Sequence, residues 1–338
     1  MKVIPGIGAE YVYVKALVHR VQSIEEDLRA VLAQYTEDET TIRLYQATRL
    51  ARLLPAGTEF TEPRQVERSA YRLYVEVLQS LSTSLSEKAL ILYNPYALIP
   101  IVRDVELILR RGQRGEELPS KEELFWPESP QVQEALRLVE EGITDPIQVT
   151  RRLGLQTSYK LLSAAKTSEA LSTAFDIELL KAFADAVKNA KTSIGKDILG
   201  ARLDILVAKT MYSLIEMKPA RQVIDIYLEN LTTYKLKEGE VKNAVEAFDA
   251  ELAKRLLVSS PYGTVSENLG VLEGFIARVR KYLRGIDKKI FTWEPVSNEP
   301  IIGLLDLLLL DAEDAVIIAL MAYSRQPKER VLDLVSFA

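Results

Sequence analysis

The stretch IIGLLDLLLLDAEDAVIIALMAY, residues 301–323, decides how this chain folds. Its apolar run is long enough to tempt a membrane reading, but Asp306, Asp311, Glu313 and Asp314 fall inside it. Each acid at a bilayer centre costs about 3 kcal/mol, so four of them rule out a span. The alternative is a helix buried in a protein core. Three readings of the acidic run 311–314 stay open: a metal-binding turn, the first turn of a helix beyond a kink near Leu310, or buried charge facing a partner.

The rest of the chain agrees with a core of helices. Apolar positions Val14, Leu17, Val18, Val21, Ile24, Leu28, Val31 and Leu32 recur at spacings of three and four, which predicts one long helix over 11–35. Asp38 or Thr40 starts a second helix through Ile42, Leu44, Leu50 and Leu53, stopped by Pro55 and Gly57. Pro63 sits where a first-turn proline belongs, with Thr61 beside it as a cap. Asn94-Pro95 interrupts the next pattern, and a helix from Leu98 to Leu109 follows with Pro100 in its first turn. Residues 112–130 read as a linker rich in proline and polar residues. Helices are expected over 132–140, 146–153, 168–191, 196–217, 220–231, 238–257, 266–284, 301–323 and 328–337, with a loop over 293–300. No strand alternation stands out, so the fold class is all-α.

A loose recurrence divides the 338 residues into three similar helical units of about a hundred residues. They cover 1–115 (joined by the C-terminal helices), 116–235 and 236–338. Each carries a basic turn: Arg110, Arg111 and Arg114; Lys235 to Lys242; Arg325 and Lys328.

Composition removes many chemistries. The chain has no Cys and one His, so thiolate nucleophiles, disulfides, Cys-ligated metals and multi-His sites are excluded. No GxxxxGK[ST] or Gly-x-Ser-x-Gly motif occurs, and Gly6 and Gly8 lack a third glycine. His19 lies beside an apolar helix face with no acid or nucleophile in sequence to complete a triad. Asp311 and Asp314 share a helix face, but no second acidic motif completes the magnesium cage of an isoprenoid-type synthase. A net charge of −5 argues against a nucleic-acid binder, although residues 145–166 have the outline of a helix-turn-helix with Arg151, Arg152, Tyr159 and Lys160 as readers. The reading is a non-enzyme without catalytic, cofactor or metal residues, and without nucleic-acid partners. The N-terminal MKVIPGIGAE has no apolar signal core, and the lack of Cys fits a cytoplasmic and thermophilic origin.

Three stretches together resemble the C/d family of rotary ATPase socket proteins, which comprises the C component of the A/V-type ATP synthases and its relative in the eukaryotic V-ATPase, the d component. The family opens on Y-x-Y-x-x-A-R-V-R; Tyr11, Tyr13, Ala16 and Val18 keep that frame, with Leu17 and His19 in place of the arginines. Asn94-Pro95-Tyr96-Ala97-Leu98 running into Leu109-Arg110-Arg111-Gly112 follows the end of the family's first unit, with Asn94 for an acid and Ala97 for an asparagine. Leu310 to Ile318, then Arg325-Gln326-Pro327-Lys328, resembles its last motif, with Ile318 where an arginine is common. The resemblance implies three helical units forming a funnel-shaped body. It implies a central-stalk socket that couples the cytoplasmic face of a membrane rotor ring to the central-stalk subunits, for ion-driven ATP synthesis or ATP-driven transport of hydrogen or other ions. Such a protein is peripheral on the inner face of the cell membrane, without direct lipid insertion. The expected partner contacts are Arg110, Arg111, Arg114, Arg325 and Lys328. The competing expectation is a helical scaffold or adaptor for soluble partners.

Overall fold

The computed structural model describes residues 9–83, 85–165, 170–263, 268–293 and 297–338, with side chains from Tyr13 onward. Among these residues every regular element is helical. In chain order they are α1 (Ala9–Arg20), α2 (Glu25–Ala33), α3 (Thr40–Leu44), α4 (Pro63–Ser82), α5 (Glu87–Arg114), α6 (Pro130–Glu140), α7 (Pro146–Arg152) and α8 (Gln156–Ala165). There follow α9 (Leu171–Asn189), α10 (Ser193–Met217), α11 (Arg221–Asn230), α12 (Glu238–Glu246), α13 (Ala250–Val258), α14 (Val271–Trp293), α15 (Pro300–Tyr323) and α16 (Lys328–Leu334). The chain divides into two compact units, one of Met1–Tyr96, Asn189–Ile198 and Tyr262–Ala338, the other of Ala97–Lys188 and Leu199–Pro261.

The first unit is built around α15, which packs against α1, α2, α3, α4, α14 and α16. A helix apolar all round must be covered all round. Leu304, Leu305 and Leu307 to Leu310 are all buried, each contributing about 2 kcal/mol of apolar burial. Gly303 permits the close approach of α14: a Cβ there would lie 2.4 Å from Ile290 Cγ2 and 3.0 Å from the Asp287 carbonyl. The second unit packs α7 on α8, α8 on α11, and α12 on α11 and α13. In it Gly200 lies under the ring of Tyr234, where a Cβ would come within 2.2 Å of Cγ.

Several expected boundaries moved, each for a visible reason. The single helix expected over 11–35 is two, broken between Arg20 and Glu25. There the Ile24 amide donates to Asp311 at 2.9 Å, and Arg49 donates to the carbonyls of Val21 and Ser23. Tertiary partners thus take over groups that a continuous helix would have paired. The expected second helix is only α3, followed by 3-10 turns at 45–47 and 49–53 around an extended Thr48. At α4, Gln65 Oε1 accepts the amides of Thr61 and Glu62, so the cap is Glu62 with Gln65 rather than Thr61. α5 runs unbroken through Pro95 and Pro100, against the expected interruption. The Tyr96 carbonyl, which an amide at position 100 would have capped, accepts the Tyr74 hydroxyl at 3.1 Å instead. The helix expected over 238–257 splits into α12 and α13 at Phe248, whose φ of 50° is left-handed, and Asp249 caps the new start by accepting the Leu252 amide at 2.9 Å. α14 continues through Gly285 to Trp293 instead of ending at Arg284. The expected starts at Ser168 and Ser266, the middle of the 293–300 loop, residue 166 of the helix-turn-helix outline and the glycines Gly6 and Gly8 lie outside the described residues, as does the side chain of Tyr11.

Candidate functional site

One device recurs three times. A long helix carries a buried aspartate, and its carboxylate accepts backbone amides of the loop that leads into a pair of short helices. Asp104 on α5 accepts the amides of Phe125 (2.9 Å) and Trp126 (2.7 Å), just before α6. Asp204 on α10 accepts those of Tyr234 (2.8 Å), Lys235 (2.8 Å) and Leu236 (3.3 Å), just before α12. Asp311 on α15 accepts the Ile24 amide and, at 2.6 Å, the Ser23 hydroxyl, just before α2. Two details repeat beside it. Each long helix is followed closely by a left-handed residue: Gly115, Lys218 and Arg325. Each short pair carries an aspartate at the start of its second helix that accepts an amide: Asp38 from Thr40, Asp145 from Ile147, Asp249 from Leu252. The anchors Asp104, Asp204 and Asp311 stand 100 and 107 residues apart, a signal present in the sequence but hidden among its 48 acids.

In the first unit the anchor belongs to a buried charge network. Arg284 donates to Asp311 (2.6 Å) and Asp314 (3.0 Å), and Arg280 donates to Asp314 (2.5 Å), Glu313 (2.9 Å) and the Leu334 carbonyl (2.9 Å). Asp314 also receives the amide and hydroxyl of Ser336, which ties down the C-terminal residues. The 311–314 acids lie in the middle of an unbroken α15, so no kink falls near Leu310, and Asp311 and Asp314 are buried against arginines of the same chain. Asp306 accepts the Tyr96 hydroxyl at 3.1 Å. Two arginines already neutralise the acids that a divalent cation would need, and among the described residues no cluster of His, Asp and Glu suits a metal. Glu25 completes the rim: burial pushes its carboxyl up, but hydrogen bonds from Lys288 and Arg29 and the charge of Arg284 hold it below the ordinary glutamate range.

The five residues expected to meet a partner separate into two groups. Arg111 is clamped on Glu123 by two hydrogen bonds (2.6 and 3.0 Å), Arg110 on Glu106 and Ser172 (2.8 and 2.9 Å), and Lys328 on the Ala33 carbonyl (3.2 Å). These three hold the fold together. Arg114 and Arg325 are exposed, each at the end of a long helix. Each lines a hollow where that end meets the start of a second short helix. One, of 560 Å³, is lined by Arg110, Gln113, Arg114, Thr144, Asp145 and Pro146. The other, of 610 Å³, is lined by Asp38, Glu39, Thr40, Arg43, Tyr323 and Arg325. Both place two arginines beside an aspartate that accepts an amide at the start of a short helix, but Arg110 and Arg114 both come from α5 whereas Arg43 comes from α3. The stretch 235–242 lies elsewhere, in the anchored loop and the first turn of α12.

Sequence comparison does not decide among these readings: no family model matches the chain, and no curated protein matches it. The helix-turn-helix outline exists as α7, a left-handed Gly154 and α8. The amide and hydroxyl of Ser158, in the first turn of α8, are held by Glu178 at 2.8 and 3.1 Å. Arg151 stacks 5.8 Å from the centre of the Tyr159 ring. His19 Nε2 lies 3.0 Å from Ser80 Oγ, and burial followed by the charge of Lys15 lowers its pKa. No described helix is long and apolar enough to cross a membrane.

Proposed function

We propose that this chain is a non-catalytic socket of a rotary A/V-type ATPase, seated between the membrane rotor ring and the central stalk. The observation that carries the reading is the threefold recurrence of an acid-anchored module. A long helix with a left-handed end, a buried aspartate and a loop leading into two short helices is the repeat that three similar units of about a hundred residues require. The third anchor, Asp311, holds the loop before α2, so the first short pair belongs with the last long helix. That agrees with a first unit joined by the C-terminal helices. A coupling element has to transmit torque without deforming, and loops pinned by buried carboxylates serve that need. The exposed Arg114 and Arg325 are the partner-facing members of the expected contact set, and Arg110, Arg111 and Lys328 support them.

The test is recovery of the tagged chain from membranes of its source cells, with mass spectrometry of what comes with it. Rotor-ring proteolipid and central-stalk subunits are expected, and the variant R114E/R325E is expected to lose them. Stoichiometric recovery of soluble proteins alone would overturn the socket reading in favour of a helical adaptor.

A further inference from the structure

The chain has one histidine, and it stands where α1 meets α4. Helix α1 packs on α15, with the fully buried Ala16 on its inner side. Two of its side chains reach across to a single residue of α4. Lys15 Nζ donates to the Ser80 carbonyl at 2.6 Å, and one turn on, His19 Nε2 lies 3.0 Å from Ser80 Oγ. A further attachment runs to α14: the Tyr13 hydroxyl donates to the Phe291 carbonyl at 3.2 Å, and the Arg20 guanidinium sits 5.0 Å from the centre of the Phe291 ring. The His19 side chain is half-buried, and its Nδ1 is buried with no hydrogen-bond partner among the described residues.

This setting suits a neutral imidazole and opposes a charged one. A neutral ring with its proton on Nε2 donates to Ser80 and leaves Nδ1 as a bare acceptor. An imidazolium carries a proton on both nitrogens, so an N–H at Nδ1 would be buried with nothing to receive it. Its charge would also stand beside the Lys15 ammonium. The acids of the surrounding helices are engaged elsewhere. On α15, Asp306 holds Tyr96, Asp311 holds Arg284, Glu313 holds Arg280, and Asp314 holds both arginines. One turn before Ser80 on α4, Glu76 pairs with Arg52, and on α14 the buried Asp287 lies at the close approach to Gly303. Burial, and then the charge of Lys15, hold the His19 pKa below its ordinary 6.5. We propose that His19 is an acid-sensitive latch whose protonation frees α1 from α4. The attachment is intact above about pH 6.5, where a released ring is neutral too. It weakens as pH falls from there through the folded pKa, because only the released ring takes the proton readily. This goes beyond the socket reading and stands without it.

The test is NMR and hydrogen exchange on the purified full chain between pH 7.5 and 5.5. With a single histidine, the ring protons on carbon titrate without overlap from another imidazole. Their midpoint is expected below 6.5 in the parent, and Lys15→Met is expected to move it up by removing a like charge. The amides of residues 14–20, corrected for intrinsic exchange, are expected to open up to about tenfold more readily at pH 5.5 than at 7.5, the limit for a ring that protonates only when released. His19→Gln keeps a side-chain amide for Ser80 and never titrates, so that response is expected to disappear. Asp311, which anchors the α1–α2 turn and whose carboxyl burial pushes up, is common to both proteins and sets their shared baseline. An equal pH response in the parent and His19→Gln would overturn the proposal. So would a midpoint at or above 6.5, or parent α1 amides that exchange alike at the two pH values.

Discussion

The two units secure their loops with the same residue type, and in the first a second acid and two buried arginines join the anchor. In the second, Asp104 and Asp204 meet their loops through backbone amides. In the first, Asp311 and Asp314 meet theirs through amides, hydroxyls and two buried arginines together. An amide anchor is a local device, because losing it frees one loop. The arginine network joins α14, α15, the α1–α2 turn and the C-terminal residues, so a single loss leaves charge stranded in the core.

That contrast sets an order of effects. Asp314→Ala takes a carboxylate from both Arg280 and Arg284, which are 3% and 5% exposed and keep Glu313 and Asp311 as their close acids, and is expected to cost about 3–5 kcal/mol. The check is chemical denaturation, and the cost falls on the first unit. Asp204→Ala leaves three amides without their acceptor and is expected to cost about 3 kcal/mol, with Asp104→Ala nearer 2 kcal/mol because it releases two. If either matched Asp314→Ala, the distinction between local anchor and network would fail. Gly303→Ala pushes a methyl group against Ile290 and the α14 backbone and is expected to cost about 2 kcal/mol by thermal unfolding. Lys218→Gly relieves a left-handed lysine at an exposed helix end and is expected to stabilise by about 0.5–1 kcal/mol.

The network also gives the first unit a pH dependence. Glu25 has its carboxyl pKa held below the unfolded value of about 4.3 by the surrounding cations. Its contribution is present above that value and fades as pH falls through the folded pKa. Acid unfolding monitored in the parent and in Glu25→Gln should therefore converge at low pH and separate above about pH 4.5.

The sequence made the fold class legible because helical periodicity is written into nearly every segment, and the apolar run places α15 to within a residue. What it concealed were breaks and continuities that tertiary partners impose. Arg49 and Asp311 divide the 11–35 helix although no glycine or proline marks the place. Tyr74 allows α5 to pass Pro100, which local rules place in a first turn. The candidate site was half legible. Arginines at the ends of long helices stand out, but nothing in the sequence tells the clamped Arg111 from the exposed Arg114. The anchors Asp104 and Asp204 stay hidden because one aspartate in a helix looks like a solvated residue until the loop it holds is seen.

The central claim is that three loops are each held by a buried carboxylate on a long helix. Native-state hydrogen exchange tests it most directly, at the amides of Ile24, of Phe125 and Trp126, and of Tyr234 to Leu236. The account predicts that these loop amides exchange as slowly as the cores of the helices they precede, and that Asp104→Ala and Asp204→Ala each release only their own set. Exchange at the rate of exposed loops in the parent chain would contradict it.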